Sequence, residues 1–407
     1  MSTAVLTHPS TNEDWEKLLA FSKLVHPRDA QEVFVRLYKE RPDLVPENHA
    51  MLVEDGEVLA TASLLPHHHY FGDAELEVGE LALVGTHPDR RMEGHARRLV
   101  AHWLEEAKKS GLAYVYLYGI PRMYETFGFS YAAPAHFFPY LRMTRDVLEA
   151  VMSPYRVRPM IPADVVVMEE LYDRANCRTP MAEVRSHEYW TYRLTTTRQR
   201  GFSWWVTVDE NNTPHGYIWA DLEKGRLREV VAADEEAARA ILQWMRWELA
   251  ERKLPEFSAQ VPLNQTFARY AHRAGAMIAS PHTAYPGNWA AMIKILRFQP
   301  VIEGLKTQFE ERINESRYAR QEFSFTLVSG EDAVNVRWQE NRIKVGPGAV
   351  GHEIRLPSTV WGPLLTGYRT IDDYPHMELD EKERHLLRVL FPGGNPYIWD
   401  LEQSDEL

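Results

Sequence analysis

Cysteine is almost absent from this chain, since its 407 residues include one, Cys177. A single cysteine excludes an intrachain disulfide and a thiolate metal cluster, so hydrophobic packing must stabilise the fold. The residues around Cys177 show no nucleophile motif, and we expect an inert, packed side chain.

Long apolar runs are also missing. No stretch reaches the ~18 consecutive apolar residues of a transmembrane helix, so we expect no membrane span and no membrane partner. The first residues lack the basic segment and apolar run of a signal peptide, which favours a cytoplasmic protein.

Positive charge is in deficit: 46 Lys and Arg residues face 58 Asp and Glu residues, for a net charge of −12. Such a surface repels phosphate backbones, which argues against nucleic-acid binding. It would attract cationic partners such as polyamines or amino sugars. The alternative is that the charge only keeps the protein soluble.

The composition is otherwise that of a globular protein, with 44% hydrophobic and 26% charged residues. The length predicts two or three domains. In the first part, two β-rich runs flank Asp55-Gly56, a strong hairpin signal. A strand over residues 76–84, a helix with one apolar face, a strand over residues 113–118 and a short helix follow. This order predicts a mixed α/β domain.

The middle of the chain repeats that order, which predicts a diverged internal duplication. A hairpin-like pair around residues 209–214 precedes a strand over residues 227–231 and a helix over residues 234–252. A third part from about Gln299 has an α+β pattern. Its predicted helices cover residues 301–311, 360–367 and 382–390, and its predicted strands cover residues 323–328, 334–338 and 342–345.

One loop of the first domain carries the pattern Arg91-x-x-Gly94-x-Ala96 between a strand and a helix. Free N–H groups and the positive dipole end at a helix start suit a diphosphate, and residues with little side chain allow its approach. The alternative is an ordinary helix N-terminus with a glycine nearby. The correct strand and helix on either side favour the binding function.

With these residues the chain resembles the GNAT superfamily of acetyltransferases. The resemblance implies that the backbone of Val84, Gly85 and Thr86 pairs with the pantetheine arm of acetyl-CoA. It also implies a pyrophosphate-binding loop formed by Arg91, Met92, Glu93, Gly94, His95, Ala96 and Arg97.

The segment Tyr124-Glu125-Thr126-Phe127-Gly128-Phe129 is similar to the GNAT segment in which a tyrosine begins the helix before a Phe-Gly-Phe strand. A departing CoA thiolate needs a proton donor, and we expect Tyr124 to be this general acid. Gly119 and Ile120 would line the thioester. The alternative is that Tyr124 is one packed aromatic among 19 tyrosines.

The organisation of the whole chain resembles the Eis-like acetyltransferases. The tail carries the resemblance with Leu364-Leu365-Thr366-Gly367-Tyr368-Arg369 and with Pro396-Tyr397-Ile398-Trp399-Asp400. It implies a catalytic GNAT domain (residues 1–150), a degenerate GNAT-like domain (residues 151–296), a domain like sterol carrier proteins (residues 297–407) and a homo-hexamer. The acidic helix start at residues 234–236 predicts that the second domain binds no CoA.

In the Eis-like family the terminal carboxylate serves as general base, a role that would fall to Leu407. The chain continues for seven residues past Asp400, so Glu402 is an alternative base, and a water relay from Glu80 is another. We expect acetyl transfer from acetyl-CoA to a small cationic primary amine, such as an aminoglycoside, a polyamine or a lysine. The alternatives are a CoA-sensing regulator and a lipid or acyl carrier.

The run His67-His68-His69 suggests a metal site at first sight. Neighbouring side chains on a strand point to opposite faces, so only His67 and His69 share one. No cysteine or carboxylate stands at ligand spacing. We therefore expect no metal and a histidine cluster at the surface or at a pocket rim.

Overall fold

The computed structural model describes residues 4–26, 44–119, 122–135, 140–144, 152–198, 202–279 and 290–394. The chain forms two compact units, each built from separate stretches of sequence. Unit one comprises Met1–Ala133, Pro180–Glu183 and Gly287–Leu407, and unit two comprises Pro134–Thr179 and Val184–Pro286.

Unit one contains a seven-stranded sheet in the order β1-β2-β3-β4-β5-β14-β6. Strands β4 and β5 are parallel, and the pairs β1–β2, β2–β3, β3–β4 and β5–β14 are antiparallel. The strands are β1 (Val5–Thr7), β2 (His49–Glu54), β3 (Glu57–Phe71), β4 (Ala74–Thr86), β5 (Tyr114–Tyr118), β6 (Ser130–Ala135) and β14 (Ala290–Ile295).

Helices α1 (Asn12–Val25) and α2 (His95–Lys109) pack against this sheet. The apolar face of α2 is buried at Leu99, Val100, Trp103, Leu104 and Ala107. The indole N–H of Trp103 donates to the carbonyl oxygen of Ala62 at 3.1 Å, which fixes the helix on β3. This packing sets the position of the α2 N-terminus.

Unit two repeats the arrangement with a sheet in the order β8-β9-β10-β11-β12-β7-β13. Its parallel pair β11–β12 corresponds to β4–β5. The strands are β7 (Tyr140–Thr144), β8 (Arg156–Pro159), β9 (Ser203–Val208), β10 (Pro214–Asp221), β11 (Arg226–Ala232), β12 (Glu256–Gln260) and β13 (Met277–Ala279). The helices are α3 (Val165–Asn176), α4 (His187–Arg198), α5 (Glu235–Glu251) and α6 (Thr266–Arg273).

The two repeats exchange one strand each. The sixth strand of the first sheet is β14, which follows the second repeat along the chain, and the sixth strand of the second sheet is β7, which follows the first. Sequence periodicity detects the duplication but carries no information on which sheet a strand joins, so the exchange was not predicted.

The C-terminal part of unit one packs four helices and a smaller sheet into one core. Its strands run in the order β17-β16-β15-β18. The core is rich in large side chains, with Trp338, Trp361, Phe309 and Phe391 fully buried. The elements are α7 (Phe298–Gly304), α8 (Lys306–Asn314), β15 (Phe323–Ser329), β16 (Asp332–Gln339), β17 (Arg342–Pro347), β18 (His352–Leu356), α9 (Ser358–Thr366) and α10 (Glu381–Leu390).

The helix predicted over residues 301–311 is two helices, α7 and α8. Gly304 explains the break, since a Cβ there would lie 2.2 Å from the carbonyl oxygen of Phe71. The N–H of Asp73 donates to the Gly304 carbonyl oxygen at 2.8 Å. The turn between β3 and β4 therefore requires a glycine at this helix end.

Most other predicted elements occur within a few residues of their predicted bounds. The helices α1, α3 and α4 were not predicted. Cys177 was expected to be packed, and it is exposed. Within the described ranges, no helix is long and apolar enough to cross a membrane.

Candidate active site

Strands β4 and β5 separate at one end of the first sheet. Their pairing consists of Val78 with Tyr114, Gly79 with Val115 and Glu80 with Tyr116. Beyond Glu80, β4 continues to Thr86 without β5 as a partner, which opens a V-shaped gap.

A β-bulge accompanies the separation. The pairing of β3 with β4 shifts between Thr61 and Ser63, and Leu83 has a φ of +56°. A bulge bends its strand and re-aims the residues after it. It therefore turns the end of β4, with Val84, Gly85 and Thr86, away from β5.

Helix α1 packs against this end of β4 at Gly85. A Cβ at Gly85 would lie 2.8 Å from Cγ2 of Val25 and 3.4 Å from Cε1 of Phe21. A glycine is needed for this close approach. Val84 and Thr86 are half-buried beside it.

The loop after β4 ends at Gly94, the N-cap of α2. Gly94 has a φ of +85°, its carbonyl oxygen accepts the first helical N–H, from Arg98, and no side chain caps the helix. A Cβ placed on Gly94 would meet no atom within 4 Å. The first turn of α2 contains no acidic residue. An uncapped helix start with open space in front of it is a site for an anion.

The arginines of this loop differ in what they contact. Arg90 is held by Glu54 at 2.9 Å and by Glu93 at 2.9 Å. Arg91 and Arg97 are exposed, and Arg97 stacks over the Phe127 ring at 5.6 Å. Arg91 and Arg97 are thus the cations available to a phosphate group, whereas Arg90 holds the loop in place.

The other loop residues differ in their exposure to solvent. Met92 is fully exposed, at 101% of its reference area, with a φ of +68°. His95 is buried and its Nε2 lies 3.2 Å from Glu93 Oε2. Ala96 is half-buried in the first turn of α2. Glu93 is tied to Arg90 and His95, which partly offsets its charge near the helix start.

Tyr124 begins a 3₁₀-helix over Tyr124–Phe127, which ends at Gly128 with a φ of +85°. Its ring is 6% exposed and packs edge-on against Phe129 with the ring centres 6.1 Å apart. Burial raises the pKa of the Tyr124 phenol to about 12. The phenol therefore carries its proton at neutral pH.

Gly119 lies against Tyr124 at the end of β5. A Cβ at Gly119 would lie 2.7 Å from Cδ2 of Tyr124 and 2.4 Å from Cδ1 of Leu117. The glycine therefore lets the tyrosine pack at the open end of the gap. Ile120, Glu402 and Leu407 lie outside the described residues.

A buried polar cluster occupies the point where β4 and β5 part. His67 lies between two carboxylates, with Nε2 3.4 Å from Glu80 Oε2 and Nδ1 3.1 Å from Glu183 Oε1. Nearby, His69 Nδ1 and the Tyr114 hydroxyl form a 2.7 Å hydrogen bond. Burial lowers the pKa of His69 to about 3, so its ring is neutral at physiological pH.

Glu183 reaches this cluster from residues 180–183, which run beside the second half of β3. The N–H of Tyr70 donates to the Ala182 carbonyl oxygen at 2.8 Å, and the N–H of Met181 donates to the Tyr70 carbonyl oxygen at 3.0 Å. Glu183 follows His67 by 116 positions, and no sequence pattern links the two.

The expected position of the histidine run was wrong in one respect. His67 and His69 do share a face, as strand alternation predicts, but both are buried, so the surface alternative is wrong and the pocket-rim alternative stays a prediction. Among the residues with described positions, no group of three His, Cys, Asp or Glu side chains is arranged to hold a metal ion. The two carboxylates beside His67 each contact one of its ring nitrogens.

The matching loop of unit two is built differently. Asp234 is the N-cap of α5, and its side chain accepts the N–H of Ala237 at 2.7 Å. Glu235 and Glu236 follow in the first turn. The helix start is thus capped by the chain itself and carries negative charge.

Comparisons with known proteins agree with this geometry. Residues 7–132 match the model of the acetyltransferase (GNAT) domain family. A 95-residue stretch is 27% identical to the amino-acid acetyltransferase of Escherichia coli K12, covering 23% of this chain and 20% of that protein. The chain therefore matches about a fifth of the length of this curated relative.

The similarity in fold extends over the whole chain. A conserved protein of unknown function from Enterococcus faecalis V583 has a TM-score of 0.74 at 13% identity, over 98% of this chain and 99% of the other. Eis1 from Mycobacterium abscessus has a TM-score of 0.65 at 12% identity, over 98% and 99%. At these identities the similarity establishes the fold. Residues 7–132 are a GNAT acetyltransferase domain, and the chain carries the N-acetyltransferase fold twice.

Proposed function

We propose that this protein transfers an acetyl group from acetyl-CoA to a primary amine, at the site between β4 and β5 of unit one. The observation that carries the proposal is the gap that opens after Glu80, with the uncapped N-terminus of α2 at Gly94. A pantetheine arm can add to the free edge of a strand in such a gap, and a pyrophosphate suits the helix start.

Arg91 and Arg97 would hold the phosphates, and the backbone of residues 84–86 would pair with the pantetheine arm. The main-chain N–H groups of residues 94–97 would donate to the pyrophosphate oxygens. Gly94 leaves room for the ligand because it has no side chain. In unit two, the acid-capped start of α5 disfavours a second cofactor.

Tyr124 is proposed as the general acid. When the amine attacks the thioester carbonyl, the C–S bond breaks and the sulfur leaves with the electron pair. The Tyr124 phenol then donates its proton to that sulfur. Its raised pKa keeps the proton on the phenol until the thiolate forms.

A base must first remove a proton from the ammonium form of the acceptor, whose pKa is ~10. The terminal carboxylate of Leu407 and the side chain of Glu402 are two candidates. Glu80 is the third, and it lies at the vertex of the gap with His67 beside it. A water bound there could pass the proton to Glu80, and His67 and Glu183 could spread the charge.

The acceptor is proposed to be a small cationic amine, such as an aminoglycoside, a polyamine or a lysine. The net charge of −12 favours the approach of cations. We also propose an Eis-like organisation in which the first two parts exchange strands β7 and β14, a last part like sterol carrier proteins, a hexamer and a cytoplasmic location. The full-length similarity in fold to Eis1 supports the Eis-like assignment.

An assay of acetyl-CoA-dependent thiol release with a panel of amines tests the proposal. We expect several aminoglycosides or polyamines to raise thiol release well above the rate with acetyl-CoA alone. CoA binding without turnover on any amine would instead favour a CoA-sensing regulator. Lipid that copurifies with the protein, as seen by mass spectrometry, would favour a carrier.

A further inference from the structure

The 3₁₀-helix that begins with Tyr124 is a short element with little stability of its own. It spans four residues, and the hydrogen bonds of a 3₁₀-helix have poorer geometry than those of an α-helix. Gly128 ends it, with its N–H donating to the Glu125 carbonyl oxygen at 2.9 Å. The last carbonyl groups of a helix have no partner within the helix. The position of the Tyr124 phenol therefore depends on contacts from other elements.

Strand β14, which lies between β5 and β6, carries one face toward this helix. Successive side chains of a strand point to opposite faces. Met292 packs in the same core cluster as Tyr124 and Phe129, whereas Ile293 packs in the core of the C-terminal part. Lys294 is two residues after Met292, so it shares the face that carries Tyr124.

Lys294 uses this face to hold the end of the 3₁₀-helix. Its Nζ donates to the carbonyl oxygen of Phe127, the last residue of the helix. A Cβ placed on Gly128 would lie 3.4 Å from the same Nζ, so the lysine lies close against the turn that follows. The bond joins residues 167 positions apart and gives a helix carbonyl the donor that the helix itself does not supply.

The surroundings of Lys294 are unusual for a lysine. The side chain is half-buried in a strand of alanine, methionine and isoleucine. Burial lowers the pKa of the Lys294 amine, and the charge of Lys108 lowers it further, while Glu105 opposes the shift. Protonated or neutral, the amine keeps an N–H to donate. The bond to Phe127 is thus a structural reason for a lysine at a position that otherwise favours an apolar residue.

We infer that Lys294 is a positioning residue for the general acid. By holding the Phe127 carbonyl group it fixes the 3₁₀-helix, and with it the Tyr124 phenol, at the open end of the gap. The inference rests on the proposed function, in which Tyr124 protonates the leaving thiolate. A displacement of about 1 Å at a reacting group can cost ~10²-fold in rate, so a contact that fixes the phenol matters to turnover.

Single-turnover rates of acetyl transfer to the best amine of the panel test the inference. Lys294→Met removes the donor and keeps an unbranched side chain. We expect the rate to fall about tenfold, with acetyl-CoA affinity by calorimetry unchanged, because the phosphate loop keeps its contacts. Lys294→Arg keeps a donor and should recover most of the lost rate. Lys108→Met is the matched control, an exposed neighbouring lysine paired with Glu105 at 3.3 Å, and should react as the wild type does.

A double-mutant cycle with Tyr124→Phe separates positioning from general structural damage. If Lys294 acts through the Tyr124 hydroxyl, adding Lys294→Met to Tyr124→Phe should slow the reaction by less than about twofold more. A further tenfold loss in the double variant, or a wild-type rate in a folded Lys294→Met, overturns the inference. Lys294→Gln, whose side-chain nitrogen is one atom nearer the backbone, takes the place of Lys294→Met in the cycle if the methionine variant does not fold.

The same rates keep this inference apart from the proposed function. No acetyl transfer to any amine would reject the proposed function. A wild-type rate in Tyr124→Phe would reject the role of Tyr124. Either result overturns the positioning role as well. A slow Tyr124→Phe that is slowed another tenfold by Lys294→Met rejects the role of Lys294 alone and leaves the general acid in place.

Discussion

At the scale of single residues, Tyr124 combines burial with a place at the mouth of the gap. Its ring packs on Phe129 and beside Gly119, so a phenylalanine can occupy the same space. Removing the hydroxyl thus changes chemistry more than packing. This makes Tyr124 a clean position for separating catalysis from cofactor binding.

We expect Tyr124→Phe to lower kcat by ~10² or more, as is typical for loss of a general acid, with little change in acetyl-CoA affinity. Steady-state thiol release and calorimetry measure the two quantities. Tyr131→Phe is the control, because Tyr131 is a half-buried neighbour without an assigned role. A wild-type single-turnover rate in Tyr124→Phe would remove this residue from the mechanism.

Gly94 tests the phosphate loop. We expect Gly94→Glu to abolish CoA binding, because it places negative charge before the helix start. Gly94→Ala is the matched control, since it carries the same backbone strain at a φ of +85°, of the order of 1 kcal/mol, without the charge. Circular dichroism should show both variants folded. Equal CoA affinities in the two variants would contradict the assignment.

The general base is tested with three variants. Glu80→Gln removes one carboxylate, Glu402→Gln removes another, and extra residues after Leu407 displace the terminal one. The variant that lacks the base should lose the acidic, ascending limb of the pH profile that the base sets, and its rate should rise only at a pH that deprotonates the free amine. Full activity and an unchanged pH profile in all three would exclude these candidates.

At the scale of elements, the sequence predicted the components of the site better than their arrangement. The loop from Arg91 to Arg97 and the helix behind it follow from local patterns, because glycine and amphipathic spacing are local signals. The His67 cluster could not be predicted, because Glu183 comes from a distant segment. Buried contacts between residues far apart in the sequence leave no local pattern.

The missed helix α4 has a local cause. The apolar periodicity of α4 is weak because polar Thr191 lies among its aromatic residues and Thr195 follows Leu194. The hydroxyls of both threonines donate to carbonyl oxygens of the preceding turn. Such bonds compete with helix propensity and blur the pattern. In α2 the apolar face is continuous, and the predicted helix was confirmed.

At the scale of the whole molecule, the exchanged strands make the first repeat incomplete without residues far along the chain. Strand β14 pairs with β5 through five residues, and its Met292 and Ile293 are fully buried. Burial of such side chains contributes about 1.5–3 kcal/mol each, a large part of the stability of a domain. The GNAT domain that the sequence outlines in residues 7–132 therefore lacks one strand of its own sheet.

We expect residues 1–150 alone to show no cooperative thermal transition by circular dichroism, because β5 would lose its neighbour and expose a sheet edge. A second fragment should fold: residues 4–135 joined by a flexible Gly/Ser linker to residues 290–394, which restores β14 beside β5 and β6. If the short fragment unfolded cooperatively at the Tm of the full chain, the exchanged strand would be dispensable. If only the joined fragment unfolds cooperatively, the first repeat needs β14 to fold. A deletion in the middle of the chain, which keeps β14, should then destabilise this repeat less than a truncation at residue 150, which removes β14.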